Sequence, residues 1–140
     1  MRLVISTPTS LIADIPDATS IRAEDESGSF GILEGHADFL TVLTISLLRW
    51  RQADGKERYC AIRRGVFSVS AGREVQVATR EAITGTDPEE LESAVLARFR
   101  AAADEEQTAR AESLRLQMAA IRRLIQYLRP GGASVPGQSA

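Results

Sequence analysis

The 140-residue chain carries a net charge of −2, a 44% hydrophobic fraction and one cysteine, Cys60. That length suits one domain, or one small domain with an appendage, and supports a real core. The charge gives no electrostatic reason to expect nucleic acid, and a lone cysteine excludes a disulfide within the chain and favours an intracellular setting. The opening MRLVISTPTSLI is broken by Pro8 and makes a poor secretion signal. No apolar run reaches the roughly 20 residues that span a bilayer.

From Met1 to about Thr84 the pattern has a period near two. Leu3-Val4-Ile5, Ser20 to Ala23, Tyr59 to Ile62, Val66 to Val69 and Val75 to Ala78 read as short strands. Ala53-Asp54-Gly55-Lys56 and Ala71-Gly72-Arg73 read as hairpin turns between them. A β sandwich or barrel of about ten short strands is expected over residues 1–86. Trp50, after Leu47-Leu48, is expected half-buried on it.

Within this half, Gly28 to Leu43 reads GSFGILEGHADFLTVL and holds three glycines and the only histidine. Glycines so spaced bend an extended chain without Cβ strain. The run lacks the groupings that do chemistry. His36 has no histidine or cysteine at metal spacing, and no Lys-Ser/Thr follows Gly28-Ser29-Phe30-Gly31 to make a phosphate loop. Glu24-Asp25-Glu26 lacks the ligand alternation of a calcium loop and reads as a solvated turn. Arg63-Arg64 and Arg122-Arg123 are basic pairs too short to form a patch. No catalytic residue, metal site or cofactor is expected, and the run reads as a shaped loop for contact with another protein.

At Asp87 the period changes. Asp87-Pro88-Glu89-Glu90 places an acceptor at N-cap, proline at N1 and Glu90 at N3. Leu91, Val95, Phe99 and Ala103 then recur on one helical face. Ala111, Leu114, Met118, Ile121, Ile125 and Leu128 follow three and four apart, the a/d seam of a helix that lies along another. Asp87 to Glu106 holds seven acids against Arg98 and Arg100, whereas Gln107 to Arg129 holds five arginines against Glu112. An antiparallel two-helix hairpin over 87–129 is therefore expected, with a Pro/Gly/Ser tail at 130–140, α+β overall. The junction Asp104 to Ala109 contains neither Gly nor Pro. One unbroken helix of about 60 Å thus remains a competing form within a few kcal/mol.

GSFGILEGHADFLTVL resembles the epsilon subunit of F-type rotary ATP synthases, which carries G-x-x-G-I-x-P-G-H-x-x-x-L-T in this region. Gly28, Gly31, Ile32, Gly35, His36, Leu40 and Thr41 match in order, and Gly65, Val69, Val75, Val77, Ala78 and Ala82 match a second block. The resemblance runs from about Leu3 to Arg129. It implies a non-catalytic rotor subunit whose sandwich joins the gamma shaft to the c ring, and whose C-terminal helices regulate ATP hydrolysis and reach alpha and beta subunits. It implies partner contacts at Ser29, Phe30, Ile32, Glu34 and His36, and a regulatory role for Leu114, Met118, Ile121, Ile125 and Leu128. It also implies a peripheral place on the cytoplasmic face of the bacterial inner membrane, held there only through the complex.

The wording RAEDESGSFGILEGHADFL and the ending IRRLIQYLRP look closer to the alternate, N-type enzyme, to which sodium pumping is attributed. Three departures stand out. Glu34 replaces the usual proline, which loosens the loop. Arg64-Gly65 replaces a glycine pair, so a close backbone approach is lost. Glu90 stands where some bacterial epsilon subunits place the arginine of an ATP-binding I/L-D-x-x-R-A motif, and a carboxylate there repels phosphate. The rival to a rotor subunit is a free-standing adaptor or ligand-binding sandwich whose helical seam takes another coiled-coil protein.

Overall fold

A computed structural model describes residues 1–128; the expected tail at 130–140 lies outside the described residues. Eight strands precede the helical part: β1 (Arg2–Ser6), β2 (Leu11–Ile15), β3 (Ala18–Asp25), β4 (Gly28–Leu33), β5 (Phe39–Gln52), β6 (Glu57–Ser70), β7 (Glu74–Thr79) and β8 (Ala82–Gly85). They pair in the order β2-β1-β7-β6-β5-β3-β4, with β8 also on β6. β1 and β7 run parallel; the other pairs are antiparallel.

The strands number eight rather than about ten because Tyr59–Ile62 and Val66–Val69 belong to one 14-residue strand, β6. What separates the two runs is a kink. β5 follows one edge of β6 along nearly its full length, while the other edge changes neighbour, from β8 at Tyr59–Ile62 to β7 at Gly65–Ser70. At the change Arg64 adopts φ 60°. A Cβ on Gly65 would collide with the Ala78 carbonyl and lie 3.0 Å from Cα of Thr79, so the close backbone approach survives on this one glycine. The buried Thr79 hydroxyl ties the junction together by donating to the carbonyls of Arg64 and Glu81.

The ladder folds over on itself. Leu3 and Ile5 of β1 share one core with Ile21 of β3, Ile32 of β4, Leu48 and Trp50 of β5, and Phe67 and Val77 of β6 and β7. Trp50 is buried there rather than half-buried, and its indole nitrogen has no hydrogen-bond partner among the described residues.

After β8 the chain turns helical at Asp87, whose carboxylate accepts from the Glu89 N–H at 3.0 Å. A short α1 (Pro88–Glu90) passes into a π-helical stretch (Leu91–Leu96) and then α2 (Ala97–Leu128). The expected two-helix hairpin is absent: α2 is one helix of 32 residues. Nothing in Asp104 to Ala109 stops it, since these residues include no Gly or Pro and most are sound helix formers. The π turn also shifts the buried face. An i→i+5 turn inserts one residue per turn relative to an α-helix, so the buried side chains are Leu91, Leu96 and Phe99, with Val95 only half-buried. The chain divides into two compact units, Met1–Arg100 and a second beginning at Ala101.

Candidate partner-binding surface

β5 and β6 are long enough to cross both layers of the sandwich, and their outward residues meet two fates. In one half, Ile45, Leu47, Tyr59, Ala61 and Ile83 face outward and are covered by Leu91, Leu96 and Phe99. Gly85 makes room for this, because a Cβ there would lie 3.2 Å from the Leu91 side chain. In the other half Leu40, Val42 and Val66 face outward and stay exposed, at 71%, 63% and 45%.

These exposed residues are aligned by the ladder. Val42 stands opposite Val66, Val66 opposite Ala78, Ala78 opposite Ser6, and Ser6 opposite Leu11. Partners in register lie on the same face of a sheet. A row of mostly apolar side chains therefore crosses five strands, with Leu40 beside it on β5. The row exists because β5 begins with inverted alternation: Leu40 and Val42 point out, while Thr41 points in and donates to Asp25 Oδ2 at 2.8 Å. Asp25 also accepts from the Ser27 hydroxyl and N–H. These bonds, Ser27's first, hold its carboxyl below the usual value of 3.8.

The loop from Leu33 to Asp38 is pinned at several points. Gly35 N–H donates to the Gly72 carbonyl at 2.7 Å, and Asp38 Oδ1 accepts from Ala71 N–H at 3.2 Å. Both glycines have positive φ, 89° and 70°. A Cβ on Gly72 would sit 3.1 Å from Gly35 Cα, so the two turns meet backbone to backbone. Glu34 Oε1 lies 3.3 Å from the amino group of Met1. The loop is thus held in place without the proline expected before Gly35.

The sequence-derived contact residues separate into surface and support. Ser29 and Glu34 are exposed, and His36 is half-exposed, its Nδ1 2.7 Å from the Ala37 carbonyl. Ile32 is only 1% exposed and belongs to the core, which removes it from any direct contact. Phe30 is half-buried, its ring edge-on to Phe39 and Phe67 at 5.4 and 5.2 Å. Both residues support the loop from beneath. Leu114, Met118, Ile121, Ile125 and Leu128 are all exposed on α2. The sequence did not mark Leu40, Val42 and Val66 as an exposed apolar set. Their signal was an apolar-out, polar-in strand start at Leu40-Thr41-Val42.

Among the described residues no three His, Cys, Asp or Glu side chains gather as a metal site, and no helix is long and apolar enough to cross a membrane. The buried Cys60 thiol is pushed up to about 12 by desolvation, which makes it a poor nucleophile.

A family model described as ATP synthase, Delta/Epsilon chain, beta-sandwich domain matches residues 1–85. ATP synthase epsilon chain 2 of Paraburkholderia xenovorans is 46% identical over 130 residues, covering 93% of this chain and 94% of its own length. This chain belongs to the ATP synthase epsilon family. A second relative, epsilon chain 2 of Cereibacter sphaeroides, is 42% identical and covers 98% of this chain and 94% of its own. The fold recurs in a chain of the Tetrahymena thermophila mitochondrial ATP synthase central stalk and c-ring, with a TM-score of 0.54 at 20% identity over 79% of this chain and 91% of that one. A chain of the Euglena gracilis mitochondrial ATP synthase matches with the same TM-score at 24% identity, over 66% of this chain and 59% of that one.

Proposed function

We propose that this chain is a non-catalytic central-stalk subunit that fixes a gamma-type shaft to a ring of c subunits, so that ion-driven rotation reaches the nucleotide sites. The observation that carries this reading is the uncovered apolar row Leu40, Val42, Val66 and Leu11 on a rigid sheet, assigned here to gamma. The pinned loop beside it presents Glu34 and His36 to the ring, and Ser29 is exposed near the other end of β4. Family membership and near full-length relatives support the same assignment. Both relatives are designated epsilon chain 2, which supports placement in the alternate, N-type enzyme.

The exposed seam from Leu114 to Leu128 serves as a regulatory surface that gates ATP hydrolysis. As a working division, residues 1–86 carry the stalk contacts and 87–129 the regulation. The subunit lies on the cytoplasmic face of the bacterial inner membrane and is held there through its partners. Reconstitution tests the reading. Exchanging His36 and Phe30 for Ala should uncouple pumping from hydrolysis without abolishing hydrolysis, and unaltered coupling would remove the loop assignment. Truncation after Asp87 should raise ATP hydrolysis by the complex; an unchanged rate would remove the regulatory role.

A further inference from the structure

Where β5 passes between layers it parts from β3. Arg22 stands opposite Arg49 and Asp25 opposite Leu43, so two residues of β3, Ala23 and Glu24, span five of β5, Thr44 to Leu48. The parting opens a groove of about 510 Å³ closed on the helical side by Glu92 and Arg100. Arg22, Arg49 and Arg100 line it from three different elements, together with Ser29 and Ser46.

The arginines are arranged at a cost. Like charges directly opposite on neighbouring strands destabilise a sheet, and Arg22 and Arg49 are such a pair. The Arg22 side chain makes no hydrogen bond or ion pair among the described residues. Its guanidinium reaches over the edge strand, Nη1 lying 3.6 Å from where a Cβ of Gly31 would stand. Arg49 rests its guanidinium carbon 5.8 Å from the Tyr59 ring centre, a contact that leaves its N–H edge available. Arg100 is held only by a long pair to Glu92, 3.4 Å.

Glu24 and Glu92 also line the groove, so its net excess is a single positive charge. Charge alone would hold an anion weakly there. Selectivity has to come from geometry: planar guanidinium forks match the paired oxygens of phosphate groups. A lining this polar offers little to a purine ring or an aliphatic acid. One carboxylate would satisfy one fork, whereas linked phosphates can satisfy two or three.

We propose that this groove binds a phosphate-chain anion of the pyrophosphate or triphosphate kind, through Arg22, Arg49 and Arg100. The site is separate from the helix start at Asp87 to Leu91 and from the apolar row. It shares Ser29 with the proposed stalk contacts, but its test on the chain alone is read without the rotor assignment.

Titration calorimetry of the full chain at low ionic strength tests it, with tripolyphosphate as probe and ATP and citrate as comparisons. Saturable binding of tripolyphosphate is expected, weakened at least about tenfold in Arg22→Gln or Arg49→Gln and unchanged in Arg51→Gln. Arg51 removes the same charge from outside the groove, where it pairs with Glu57 at 2.8 Å. Arg22→Gln also relieves the like-charge opposition, so its ligand-free melting temperature should equal or exceed that of the parent. Tripolyphosphate should then raise the parent's melting temperature and leave the variant's unmoved. ATP binding as tightly as tripolyphosphate supports a cradle for the phosphate chain. The proposal is overturned by no saturable heat, by equal loss in Arg51→Gln, by citrate binding as tightly as tripolyphosphate, or by ATP binding that survives both groove substitutions.

Discussion

The two outward faces of β5 and β6 are built from the same kinds of residue yet end in different states. Where Leu47, Tyr59 and Ala61 point outward, the chain supplies its own cover in Leu91, Leu96 and Phe99. Where Leu40, Val42 and Val66 point outward, the same two strands remain bare. Leaving large apolar side chains in water forgoes about 1.5–3 kcal/mol each relative to burying them. A partner's surface would recover that energy, so the contrast separates a face that stabilises the fold from one that serves assembly.

Removing cover from the first face should have the largest effect. Phe99 is 1% exposed, and Phe99→Ala should cost about 3–5 kcal/mol in chemical denaturation. The matching truncation on the bare face, Val66→Ala, should change stability by no more than about 0.5 kcal/mol. Similar costs at the two positions would erase the distinction.

The kink that joins the halves comes next. Gly65→Ala forces a Cβ into the Ala78 carbonyl and should destabilise by about 1–3 kcal/mol. Arg64→Gly relieves a left-handed backbone that costs an L-residue about 1–2 kcal/mol. The greater freedom of an unfolded glycine offsets part of that gain, so a net rise of up to about 1 kcal/mol is expected from melting curves.

The smallest effect concerns the inverted strand start. Asp25 is held below 3.8 by Ser27 and then Thr41, so these bonds add stability above the unfolded-chain value, and the increment is lost as pH falls through the folded value. Thr41→Val should move Asp25 back up toward 3.8 in a carboxylate NMR titration and shrink the acid-side loss. An unmoved titration would show that the inward Thr41 hydroxyl does not hold Asp25.

Much of this arrangement was legible in the residues. Asp54-Gly55 and Ala71-Gly72 marked the turns because Gly55 and Gly72 adopt positive φ, and Asp87-Pro88 marked the helix start because its cap is local. What failed was tertiary. Arg63 to Gly65 looked like a break between strands, since nothing local reveals that β6 continues while its neighbour changes from β8 to β7. The α-helical period marked Val95, which is half-buried, and missed the fully buried Leu96, because a π turn does not obey that period. A charge difference between two stretches suggested a hairpin, but a sharp break in a helix needs a local cause such as Pro or Gly, and Asp104 to Ala109 offers neither. At the proposed contact surface the glycine-histidine run marked the loop that joins β4 to β5. Ile32 proves buried and Phe30 half-buried, because inward and outward positions follow from register with β3 rather than from the motif.

The central claim is that the bare row meets the shaft, and Val66→Glu measures it most directly. The variant places a charge on an exposed sheet position, so its melting temperature should stay near that of the parent. Its affinity for the gamma subunit of the same enzyme should fall at least tenfold, about 1.4 kcal/mol. A folded Val66→Glu chain that binds gamma as tightly as the parent would contradict the account.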